Sequence, residues 1–131
     1  MGNKYTGKVY ALGEAIGGFG VTAVHDVEVL KNAIKSNKMP LVSSFDGLND
    51  PGHIIGLCEL EVRDNAIYAT VEFIGPKGEA FEHEEILDGM RLGFYATGCD
   101  ISQDKVVKSM TIRSVAITRT CLGGRLEKEE E

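Results

Sequence analysis

The sequence predicts an α+β fold: a small, mostly antiparallel β-barrel with two flanking helices. Three observations lead there. Runs with strand character dominate the chain and alternate with two helical runs, in the order strand, helix, strand, hairpin, helix, strand, strand. The connections between them are short. The central pair of apolar runs is split by Asp64-Asn65, a dipeptide that tolerates the positive φ of a tight hairpin. At 131 residues the chain has the length of one domain, placed at residues 1–122 and followed by an acidic C-terminal tail, 123–131.

Taken in order, "YTGKVYALGEA" reads as a strand because Tyr, Val and Thr suit a pleated surface and the run ends near glycines. "IGGFGVTAV" is a flexible connector. It has neither the spacing nor the Lys-Ser/Thr end of a phosphate loop, nor a dinucleotide fingerprint. In "HDVEVLKNAIKSNK" Val27, Leu30, Ala33 and Ile34 recur at helical spacing, Asp26 stands where it caps the N-terminus, and lysines gather toward the end, which predicts a one-sided helix of about three turns. Pro40 blocks helical continuation, so "PLVSS" starts extended.

"HIIGLCELEV" and "AIYATVEFI" are two strands joined by "RDNA". In the second, Ile67, Ala69, Val71 and Phe73 fall on one face and Tyr68, Thr70 and Glu72 on the other. A Pro-Gly turn in "GPKGEAFEHEEILDGMRLG" then leads into a helix carrying Phe81, Ile86, Leu87 and Met90. His83 lies among Glu82, Glu84 and Glu85, but consecutive residues fan out around a helix rather than converging on an ion, so the cluster reads as a solvated acidic face. "GFYATGCDIS", the turn "QDK" and "VVKSMTIRSVAITRT" supply the last strands. "LEKEEE" has no apolar residue after Leu126 and is expected to lie outside the folded domain.

Composition narrows function. A net charge of −6 argues against a general affinity for DNA, RNA or anionic membrane, each of which selects a basic surface. Cys58, Cys99 and Cys121 are odd in number and lack CxxC spacing, so they imply neither a disulfide framework nor a zinc site and read as thiols of a reducing cytoplasm. No apolar run reaches the ~18 residues that a membrane span needs, and "MGNKYTGKVY" lacks the apolar stretch of a signal peptide. Gly2 and Thr6 match a short myristoylation pattern, but no second membrane signal accompanies it. A soluble intracellular protein without a cofactor or metal is expected.

Four stretches in order, "VHDVEVLKNAI", "PLVSSFDGLNDPGHIIG", "LCELEVRDNAIYATVEF" and "ILDGMRLGFYATG" followed by "TIRSVAITRT", resemble the prohead maturation proteases of tailed phages, which share a small β-barrel with the herpesvirus assemblins. The resemblance covers about residues 5–122. In that family the strand after the first helix ends in a His, usually followed by Asp and a loop to an Ile-Gly pair. The matching residues are Phe45, Asp46 and Ile55-Gly56. The family's nucleophilic Ser precedes a Gly on a later strand, and "LGFYATG" puts Ala96 there, two residues before Gly98. The family's last strand, which reads like "EVSLV", is matched by "SVAIT" at residues 114–118.

Both chemical positions therefore depart from the family pattern. Serine hydrolysis needs a hydroxyl and a base within hydrogen-bond reach, and a Phe and an Ala provide neither. The resemblance implies that Phe45 and Ala96 lie on neighbouring strands and face one shared depression. It further implies a non-catalytic virion protein, such as a capsid decoration or head-associated component, with capsid or other virion proteins as partners, possibly a homo-oligomer, present in the host cytoplasm during assembly and then in the virion. The alternative is an active serine-type maturation protease with a rearranged site. Its candidate nucleophiles are Ser43, Ser44 and Thr97, with His53 as base and Asp46 or Asp50 as orienter.

Overall fold

A computed structural model describes residues 4–14, 23–35, 38–43, 54–81, 90–118, 124 and 126–128. Its elements are β1 (Lys4–Ala11), α1 (Val27–Ala33), β2 (Lys38–Val42), β3 (Ile54–Arg63), β4 (Ala66–Phe73), α2 (Gly75–Phe81), β5 (Arg91–Ile101), β6 (Val107–Thr118) and β7 (Glu127–Lys128). Among the described residues the strands form one sheet in the order β5-β6-β2-β3-β4-β1-β7, curled into a half-barrel. Every pairing is antiparallel except β2 with β6, where Leu41 faces Val115 and Val42 faces Ala116.

The β3–β4 hairpin follows from local chemistry. Asp64 and Asn65 take φ of 53° and 61°, the left-handed pair that a two-residue turn requires, and pairing runs without a break from Arg63↔Ala66 to Gly56↔Phe73. The alternation in β4 sorts as the sequence predicts: Ile67, Ala69, Val71 and Phe73 are buried, while Thr70 and Tyr68 are half-buried and Glu72 exposed. At Gly56 the neighbouring strand comes so close that a Cβ would run into the Glu72 carbonyl oxygen, so the position has no room for any other residue.

α1 begins where the sequence predicts, with the Asp26 carboxylate accepting from the Glu28 N–H at 2.9 Å. It ends earlier. Ile34 is already extended (φ −91°, ψ 90°), which leaves two turns instead of three, because the chain must reach Lys38 in time to pair with Glu59 of β3. β2 therefore starts two residues before Pro40. The missing Pro40 N–H is tolerated because β2 meets β6 only from Leu41 onward. Leu30 and Ala33 of α1 are fully buried against the sheet with Leu41, Ile67, Val71, Leu92, Val115 and Ile117, and each large side chain so buried contributes roughly 1.5–3 kcal/mol.

The second helix is seen over Gly75–Phe81, with Pro76 in its first turn, where a missing N–H costs nothing. The predicted continuation through Ile86 and Leu87, and the His83 cluster, lie outside the described residues, as do residues 16–22 of the connector, whose last two residues, Ala23 and Val24, are buried.

The C-terminal segment corrects the sequence reading. Far from standing wholly outside the domain, its described residues belong to the sheet. Gly124 donates its N–H to the Lys8 carbonyl (2.7 Å) and accepts from the Leu92 N–H (2.9 Å), bridging the gap between β1 and β5. β7 then pairs with Tyr5 and Thr6, and Leu126 packs partly buried against the core. A charged segment carries one apolar anchor, and a curled sheet offers it an open strand edge to pair with.

Candidate functional site

The positions that carry the resemblance meet the structure on β5. Ala96 stands opposite Ile112 of β6 and is a half-buried residue packed against the core. Its neighbour Thr97 points to the other side of the strand, where its Oγ1 accepts from Arg113 Nε at 2.8 Å in an exposed contact. The bond occupies an acceptor site of the hydroxyl and fixes the Thr97 side chain against the Arg113 guanidinium. Gly98 follows with φ +65°, a left-handed backbone that favours glycine, at an irregularity where the pairing jumps from Thr97↔Thr111 to Asp100↔Ser109.

Phe45, Ser44, His53, Asp46 and Asp50 lie outside the described residues. Ser43, just beyond β2, is half-buried. Among the described strands, β6 lies between β2, which ends at Val42, and β5, which carries Ala96. The parallel step from β2 to β6 has no local sequence signature.

Sequence reasoning missed Ser114. Pairing shifts from Tyr95↔Ser114 to Ala96↔Ile112, leaving Arg113 unopposed as a bulge. Beyond the bulge Val115 and Ile117 point into the main core, so alternation sends Ser114 to the side of Ala116, which clusters separately with Val42. Ser114 is 0% exposed, and its Oγ has no hydrogen-bond partner. An unpartnered buried hydroxyl destabilises by about 1–3 kcal/mol. Among the described residues its oxygen meets neither solvent nor a hydrogen-bonding group. Within "SVAIT" nothing distinguishes it from an ordinary strand serine.

Other polar groups serve the fold. The Tyr10 hydroxyl donates to the Glu14 carbonyl (2.6 Å) and accepts from the Val24 N–H (2.9 Å), and burial holds its pKa above the usual phenol value. Its ring meets Phe94 edge-on at 5.7 Å, which ties β1 to β5. Cys58 is buried, donates to the Met39 carbonyl at 3.5 Å, and is pushed by burial up to about 12, so it stays a thiol at neutral pH. Burial also raises Cys99, and Cys121 lies outside the described residues. Among the described residues no group of three His, Cys, Asp or Glu side chains could hold a metal ion, and no helix is long and apolar enough to cross a membrane.

Compared with protein-family models, with curated proteins and with solved structures, the chain finds no match.

Proposed function

We propose that the protein is a non-catalytic virion component, a capsid decoration or head-associated protein whose frame resembles that of the prohead maturation proteases. One observation carries the reading: at the position where the resemblance asks for a nucleophile, Ala96 turns its methyl toward the core, while the hydroxyl of the adjacent Thr97 faces the opposite way and is held by Arg113. A frame kept without its reaction is used for its surface. Ile54, Leu57, Ile74 and Tyr95 are large apolar side chains left exposed, and the first three belong to the start of β3 and the end of β4, where Ile74 bonds to Ile55. The two flanking helices and the closed barrel of the family are part of the same proposal, as is a life cycle that starts in the host cytoplasm and ends in the particle.

The test is a mixture of the purified chain with assembled capsid and, separately, with scaffold or capsid subunit. Co-sedimentation with particles and intact subunits after incubation are the expected results. Cleavage of the subunit that disappears in Ser44→Ala or His53→Ala would establish the active protease instead.

A further inference from the structure

Between α1 and the first half of β6 lies a cleft of about 280 Å³. Asn32 and Lys35 line it from the helix side, Lys108, Ser109 and Thr111 from β6, and Gly98 from β5. Nothing stands within 4 Å of where a Gly98 Cβ would be, so the cleft is open above that backbone.

Three features give this cleft a sign. Lys35 and Lys108 form no ion pair among the described residues, although the chain as a whole is acidic. The carboxylates nearby in sequence on α1 are engaged, Glu28 with Lys31 at 3.7 Å and Asp26 at the helix cap. The third feature is the strand edge. β6 is bridged to Ala23 at Val106 and Val107 and to β2 at Val115 and Ala116, and between these, over residues 108–111, no described strand pairs with the edge away from β5. Two lysines, an asparagine, and a stretch of β6 that no described strand pairs on this edge thus line one small volume. Asp100, which strand register places opposite Ser109, is the acidic group that opposes them.

We propose that this cleft binds a small oxyanion, a carboxylate or phosphate group, with Lys35 and Lys108 supplying the charge and Asn32 a directed hydrogen bond beside the β6 edge at residues 108–111. The site is separate from the positions that carry the family resemblance, and it stands whether or not the chain is a virion protein.

The experiment is a residue-resolved NMR titration of the full chain with sodium phosphate and, separately, sodium succinate, against sodium chloride at matched ionic strength. Saturable shifts confined to Asn32, Lys35, Gly98 and residues 108–111 are expected with at least one oxyanion. The double variant Lys35→Ala/Lys108→Ala should weaken binding about tenfold, which corresponds to about 1.4 kcal/mol. Lys35→Arg/Lys108→Arg should stay within about threefold of the parent, Lys31→Ala should change nothing, and Asp100→Asn should tighten binding. Tighter phosphate assigns a phosphate-bearing ligand and tighter succinate a carboxylate. Chloride acting as well as either oxyanion, shifts spread over all lysines, or an unchanged Kd in the double alanine variant would overturn the proposal.

Discussion

Removing the residues after Arg125 tests whether the C-terminal segment is part of the domain. The truncation takes away Leu126 and β7 but leaves Gly124 and its two bridging hydrogen bonds in place. A fully buried leucine contributes roughly 1.5–3 kcal/mol, so the half-buried Leu126 accounts for about 1 kcal/mol. Pairing of Glu127 and Lys128 with Thr6 and Tyr5 adds backbone hydrogen bonds worth about 0.5–1.5 kcal/mol each, offset in part by the entropy of ordering an exposed chain end. The net expectation is a loss of about 1–2 kcal/mol, a fall in Tm of roughly 3–8 °C for a domain of this size. Urea and thermal unfolding followed by circular dichroism measure it. Leu126→Ala should reproduce about half of the loss, and removal of only the residues after Lys128 should stay within about 0.5 kcal/mol. A truncation after Arg125 that leaves stability within that same margin would refute the packing seen for Leu126 and β7, and restore the view of a solvated tail.

Two further predictions concern buried groups. Ser114→Ala deletes a hydroxyl that no neighbour satisfies, so the variant should be more stable than the parent by about 1 kcal/mol in urea unfolding; a loss of more than about 1 kcal/mol would mean that the oxygen has a partner. Cys58 has a folded pKa of about 12 against an ordinary value of 9.0. The proton is held more tightly in the folded state, so its contribution is fully present below pH 9 and is lost as the pH rises through 12. Urea midpoints should fall across that window, less steeply in Cys58→Ala, and the Cys58 thiol should react with a thiol reagent at neutral pH only as fast as the protein unfolds. Rapid labelling of the folded protein would contradict its burial.

What the sequence made legible was local. The β3–β4 hairpin could be read because a period of two and an Asp-Asn turn act within a dozen residues, and the start of α1 because Asp26 sits next to the bond it caps. The end of α1 is not legible, because Ile34 continues the apolar periodicity while the pull of β2 toward Glu59, a long-range pairing, leaves no trace nearby. The tail is hard to read for a related reason: six charged residues surround Leu126 after Gly124, and composition averages away a single anchor. Strand partners were the least legible. Nothing in "PLVSS" or "SVAIT" announces that Leu41 lies beside Val115 in parallel, and the bulge at Arg113, which sends Ser114 and Ala116 away from the main core, has no residue type of its own.

That strand order bears on what the frame can do. Through β6, Val42 is aligned with Ala116 and Ala116 with Gly93, three residues before Ala96 on β5. With strands about 4.8 Å apart and a rise of about 3.3 Å per residue, the end of β2 stands about 10 Å across the sheet and about 10 Å along it from Ala96. Hydrogen bonds close at about 3 Å, so no side chain at the end of β2 reaches position 96 by strand geometry alone. A serine introduced at 96 would also turn toward the core, as the alanine does, while position 97 faces Arg113. Regaining a hydrolytic pair on this sheet therefore needs a base brought to β5 from outside β2 and a hydroxyl freed from the core side.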